Sequence, residues 1–153
     1  MPQSTYKRKP EEMRIVQVIA YLAKDSTDSR LLERIIRSAA KEREVSLCRS
    51  LKDLKSKLRL SQTMDAVVVL RASGRKTLSN LVALHDHLDR FETILIVPDA
   101  QRETIAKAHR LKPRYVGMAG GDFADIEIVL RRMLARADRR EKAAHGFSAV
   151  KRE

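Results

Sequence analysis

Short β-branched apolar runs alternate with amphipathic segments along most of the chain. The runs "RIVQVIAYL" (14–22), "EVSLC" (44–48), "MDAVVVL" (64–70), "TILIV" (93–97) and "RYVGM" (114–118) predict five strands. The run over 64–70 is the most continuous, which is typical of a strand covered on both faces. We therefore expect this third strand to be the central one.

The segments between these runs have helical spacing. Residues 28–42, 77–89 and 101–111 place apolar side chains on one face of a predicted helix. Ser50 can cap a helix that buries Leu51, Leu54 and Leu58, and Asp122 can cap a long last helix. Strict β/α alternation predicts a parallel sheet with helices on both faces, where function lies outside the carboxyl ends of the strands.

Length and composition limit the class of protein. A chain of 153 residues corresponds to about one domain, which we place at 13–139, between a flexible basic segment at 1–12 and a polar basic tail at 140–153. No run is long and apolar enough to span a membrane, and the first residues lack the centre of a signal peptide. We expect a cytoplasmic protein whose single cysteine, Cys48, is a buried strand thiol.

The charge is strongly basic. The 32 Lys and Arg outnumber the 20 Asp and Glu, giving a formal net charge of +12, and residues 131–153 hold a large share of this excess. Such a balance favours an acidic partner, which is nucleic acid, an anionic membrane surface or an acidic protein. A solvated helix face with a solubilising tail explains the same pattern.

The third predicted strand runs into the loop "ASGRKT" at 72–77. It does not match the Walker spacing, because it lacks the first glycine and an arginine separates its glycine from its lysine. Two interpretations remain, an ordinary polar loop or an anion site made of Ser73, Gly74, Arg75 and Lys76.

The histidines at 85 and 87 point to different helix faces, and no nucleophilic set can be read from the spacing, so we predict no metal, no cofactor and no enzymatic activity.

The order and lengths of these elements over 13–137 resemble the receiver domain of bacterial response regulators, which accepts a phosphoryl group on an aspartate. This resemblance implies a flavodoxin-like α/β fold, a three-layer α/β/α sandwich with a five-stranded parallel sheet in the order 2-1-3-4-5. The residues of the family's phosphorylation pocket are the part of the pattern from which this chain departs.

Receivers carry two acids after the first strand, an acceptor aspartate ending the third, a Thr or Ser ending the fourth and a lysine ending the fifth. The matching positions here are Lys24, Asp25, Leu70, Pro98 and Met118. Leucine offers no nucleophilic oxygen, and Lys24 would repel the divalent cation that Asp25 alone cannot hold. We therefore expect a stand-alone pseudo-receiver that regulates by protein–protein interaction without phosphotransfer.

The resemblance also implies an interaction face. Receivers often carry a switch aromatic on the fifth strand, and Tyr115 occupies that place, although a partly buried core tyrosine is an equal interpretation. The face formed by the helix over 101–111, the fifth strand and the last helix would dock a protein partner or a second copy of the chain. Its basic members would be Arg102, Lys107, Arg110, Arg131, Arg132 and Arg136.

The alternative is a nucleic-acid-associated regulator that contacts phosphates through the basic last helix and tail. Only three Phe, three Tyr and no Trp are available for stacking on bases, which weighs against it.

Overall fold

A computed structural model describes residues 16–23 and 26–152 of the chain. The strands are β1 (Gln17–Tyr21), β2 (Val45–Cys48), β3 (Ala66–Arg71), β4 (Glu92–Val97) and β5 (Tyr115–Met118). The helices are α1 (Thr27–Ala40), α2 (Leu51–Leu60), α3 (Arg75–Val82), α4 (His85–Leu88), α5 (Arg102–Ala108) and α6 (Ala124–Arg152), and a 3-10 turn spans His109–Leu111.

The strands form one parallel sheet in the order β2-β1-β3-β4-β5, as predicted. The predicted central strand lies at the centre: Val67 pairs with Val18 of β1, and Val69 pairs with Ile94 of β4. All residues of β3 before Arg71 are buried, because helices cover both sides of the sheet.

Side chains alternate between two cores along each strand. Val67 and Val69 face the layer of α1 and α6, where they pack with Ile36 and Leu130. Alternate strand residues face the opposite layer of α2, α3, α4 and α5. The α/β/α sandwich is therefore closed on both faces, and its loops at the carboxyl edge of the sheet are free to carry function.

The predicted cap of α2 is confirmed, since Ser50 Oγ accepts a hydrogen bond from Asp53 N at 3.1 Å. The prediction for the last helix needs a correction. Asp122 Oδ1 accepts from Ala124 N at 3.1 Å, but the helix begins only at Ala124, because Phe123 adopts a left-handed backbone with φ of 60°. This turn buries the Phe123 ring in the core.

Further sequence predictions compare with the structure as follows. The single helix predicted over 77–89 is two helices, α3 and α4, separated at Ala83 and Leu84. The segment assigned to a polar tail is helical as far as Arg152, and the predicted flexible segment 1–12 lies outside the described residues. Cys48 is buried, as expected. Within the described ranges, no helix is both long and apolar enough to cross a bilayer.

Candidate functional site

A guanidinium group stands at the carboxyl end of the central strand. β3 ends at Arg71, one residue beyond Leu70, and the Arg71 side chain is only 12% exposed. Its Nη2 lies 3.9 Å from Asp28 Oδ2, and its Nη1 donates to Ser29 Oγ at 3.5 Å. Both partners belong to the first turn of α1, so the arginine joins the central strand to the helix after β1.

Asp28 extends this contact to a third element. Its Oδ2 also accepts a hydrogen bond from Gly120 N, in the loop between β5 and α6, at 3.2 Å. The carboxylate therefore already has a cationic partner and an N–H donor, which together compensate its partial removal from water. We name Arg71, Asp28, Ser29 and Gly120 the strand-end cluster.

The structure describes three of the five positions aligned with the receiver pocket, and each lies at or just after the carboxyl end of a strand. Leu70 is fully buried and faces the α2 layer, between Tyr21 of β1 and Leu95 of β4. Pro98 directly follows β4, and Met118 ends β5 with 42% of its surface exposed. Lys24 and Asp25 lie outside the described residues.

Sequence reasoning missed both charged members of the strand-end cluster. The signal was present, because Arg71 is the first charged residue after the apolar run, and a charge at that point must lie at the sheet edge. Asp28 was assigned only to helix α1, whose first turn favours acidic residues for their interaction with the helix dipole.

In the loop considered as an anion site, several side chains contact other residues of this chain. The hydroxyls of Ser73 and Thr77 bond each other at 3.1 Å. Arg75 donates to the Gln101 side chain and lies 3.9 Å from Asp99 and 3.7 Å from Glu103. Gly74 is the extended N-cap residue of α3 without a side-chain cap, and exposed Lys76 makes no ion pair with any described residue. The two carboxylates near Arg75 reduce the positive potential of this loop.

Tyr115 links β5 to the last helix. Its hydroxyl donates to Asp125 Oδ2 at 2.5 Å. This hydrogen bond, together with partial burial, raises the pKa of the Tyr115 phenol above its usual value, because the neutral form is the one that donates.

The basic side chains predicted for the interaction face divide into two groups. Arg131 contacts Glu127 at 2.7 Å and Ser38 of α1 at 3.2 Å, and its hydrogen bond holds the pKa of the Glu127 carboxyl below its usual range. Arg136 lies 3.6 Å from Glu92. Lys107 donates to Ser79 at 2.7 Å. The side chains that keep their charge free within the described part of the chain are Arg102, Arg110 and Arg132.

One group of side chains has the composition of a metal site. Ligand atoms of His85, Asp86 and Asp89 lie within 4.8 Å of one another, and all three residues are exposed. His87 is not in this group, in agreement with the argument that His85 and His87, two residues apart, point to different faces of a helix.

Solved structures of other proteins resemble this chain. No family model matches the chain, and no curated protein matches it. Among solved structures, a pilus assembly-related protein from Burkholderia pseudomallei superposes with a TM-score of 0.58 at 16% identity, over 82% of this chain and 90% of its own. A response regulator receiver domain from Rhodospirillum rubrum gives a TM-score of 0.58 at 15% identity, over 76% and 90%.

A third neighbour is a phosphorylated cyanobacterial phytochrome response regulator, RcpA, with a TM-score of 0.55 at 13% identity, over 77% of this chain and 91% of that one. These likenesses, at low identity, show the fold. The chain has the receiver-domain fold.

Proposed function

We propose that this chain is a receiver-like regulatory domain of signal transduction that acts by protein–protein interaction and is not phosphorylated by the usual aspartyl mechanism. The observation that carries the proposal is the Arg71–Asp28 pair at the end of β3, where an arginine and not a carboxylate ends the central strand.

The chemistry supports this proposal in two ways. Transfer of a phosphoryl group to a carboxylate needs a nucleophilic oxygen in line with the phosphorus and cations that neutralise the developing charge. β3 offers at its end a guanidinium, which is not a nucleophile, and before it the hydrocarbon side chain of Leu70. The nearest described carboxylate to Arg71, Asp28, is engaged by that cation, and the positive charge of Arg71 disfavours a divalent ion beside it.

A partly apolar strip on α6 supports the interaction role. Asp125, Ile128 and Arg132 share one face of this helix by their spacing of three and four, and Ile128 is 54% exposed. Tyr115 of β5 is bonded to Asp125. An exposed apolar side chain beside a free arginine is typical of a protein interface.

A partner protein or a second copy of the chain would cover this strip. Sedimentation of the purified chain over a wide concentration range tests the homodimer: we expect a concentration-dependent dimer that Ile128→Glu weakens. Lys76→Glu, which changes a charge elsewhere without touching the strip, is the control. A monomer at every concentration would remove the homodimer and leave a different protein as the partner.

Nucleic-acid association is the second candidate. Its support is the last helix, in which Arg132 and Arg139 are exposed, lie seven residues apart on one face and make no ion pair with a described residue. Binding of mixed-sequence duplex DNA that falls steeply with added salt, and that Arg132→Glu with Arg139→Glu abolishes, would establish this role. No binding at low salt would exclude it.

A further inference from the structure

Helix α2 carries four cations and one acid within ten residues. Lys52, Lys55 and Arg59 are exposed, and Lys57 is half-buried. Within residues 16–23 and 26–152, none of the four makes an ion pair or a side-chain hydrogen bond. Other cations of the chain behave differently, since Arg37 and Arg49, for example, both contact Glu33.

The position of these cations follows from how α2 packs. Leu54 and Leu58 are fully buried against the sheet and fix which side of the helix faces water. Steps of three and four residues place Lys52, Lys55 and Arg59 in one row on the outer side, with about 5–6 Å between successive Cβ atoms. The row therefore presents three like charges at helical spacing, none of which forms an ion pair with a described residue.

An exposed apolar side chain ends the same helix. Leu60, the last residue of α2, is 78% exposed, more than any other large apolar side chain that the structure describes. Met64, just beyond the end of the helix, is 40% exposed. A single exposed leucine is ordinary on a protein surface, but at the end of a helix with free cations it adds an apolar contact point near them.

The described aromatic side chains do not favour nucleic acid as the partner of this row. Tyr21, Phe91 and Phe123 are buried, and Tyr115 belongs to β5, so none lies on α2 to stack on a base. Carboxylates that recur every three or four residues along a partner helix match the spacing of the cation row, and an apolar residue on that helix would cover Leu60.

We propose that Lys52, Lys55, Arg59 and Leu60 form a docking strip for an acidic amphipathic helical segment of a partner protein. This α2 strip belongs to a different helix, on the other side of the sheet from α6. Its failure would therefore leave the strip of Asp125, Ile128 and Arg132 on α6 untouched.

Fluorescence anisotropy with a labelled designed peptide of Glu and Leu at helical spacing tests the proposal. The triple variant Lys52→Glu, Lys55→Glu, Arg59→Glu is expected to lose about tenfold or more in affinity. The matched control, Arg34→Glu, Lys76→Glu, Arg139→Glu, changes the net charge equally at exposed positions outside α2, and we expect at most about a twofold loss. Circular dichroism of each variant establishes that it is folded.

The contribution of the Leu60 side chain is tested separately. Leu60→Ser is expected to weaken the peptide about fivefold, and a peptide with Ser in place of Leu should not distinguish this variant from the parent. Equal losses for the two triple variants would overturn the proposal, since bulk charge would then explain the binding. Retention of duplex DNA or of phosphatidylserine vesicles through the same three cations, without retention of the peptide, would overturn it as well.

Discussion

The guanidinium of Arg71 occupies the place where the central strand meets solvent, and a single side chain there connects three elements. Through Asp28 it joins β3 to the first turn of α1 and to the backbone of Gly120 before α6. A receiver that is switched by phosphorylation must be able to rearrange this edge. In this chain, the residues of the strand-end cluster contact one another at this edge.

The stability of the fold should depend on this cluster. Arg71→Met removes the charge but keeps much of the side-chain volume, and it leaves Asp28 without its cationic partner. We expect the free energy of unfolding to fall by about 1–2 kcal/mol in urea titrations at neutral pH. Arg75→Met breaks an exposed pair and should change it by at most about 0.5 kcal/mol. Equal effects of the two substitutions would contradict a structural role for the Arg71–Asp28 pair.

Tyr115 gives a pH-dependent prediction. Its pKa is raised in the folded state, first by the hydrogen bond to Asp125, so the folded protein holds the phenol proton more tightly than the unfolded chain does. This contribution to stability is complete below the ordinary tyrosine value of 10.0 and disappears as the pH rises through the folded-state pKa. The stability difference between the parent and Tyr115→Phe should therefore shrink only in alkaline solution.

Ring-carbon NMR titration of the tyrosines measures this pKa directly. Tyr115→Phe identifies the signal, and Asp125→Ala should lower the Tyr115 pKa while leaving that of Tyr21, which burial raises, unchanged. A Tyr115 pKa that does not respond to Asp125→Ala would mean that the hydrogen bond is absent in solution.

At the scale of elements, the contact of β5 with α6 depends on the missing side chain of Gly117. A Cβ at this position would lie 2.6 Å from Ile126 Cδ1 and 3.5 Å from Ile96 Cγ1. Gly117→Ala should cost about 1–3 kcal/mol of unfolding free energy in chemical denaturation, because the fully buried Ile126 side chain must move out of its packed position. Gly121→Ala, whose Cβ would have only the Phe123 N at 4.0 Å, should be close to neutral. A neutral Gly117→Ala would contradict this packing.

The elements themselves could be predicted because each has a local cause. The valines of β3 and the serine before α2 act within a few residues of themselves, so this strand and this cap agree with the structure, whereas the strand order was implied by the resemblance to receiver domains. The start of α6 could not be read from sequence, since the left-handed turn at Phe123 depends on how deeply its ring is buried in the core. The strand-end cluster was missed for the same reason, as Arg71 and Asp28 meet only through the tertiary fold.

At the scale of the whole molecule, the net charge of +12 is divided unequally between paired and free cations. The arginines at 43, 71 and 136 are paired with acids of other parts of the fold and hold these parts together. The free cations of α2 and the free Arg132 of α6 lie on opposite sides of the sheet. We propose that a receiver fold with two such surfaces brings partners together and signals by contact.

Phosphoryl uptake tests the central claim most directly. The folded chain is incubated with Mg²⁺ and acetyl phosphate, beside a phosphorylation-competent receiver as control, and both are examined by intact-mass spectrometry. We expect the control to gain a phosphoryl group and the mass of this chain to stay unchanged. A stoichiometric, hydroxylamine-sensitive phosphoryl group on an aspartate of this chain would contradict the account.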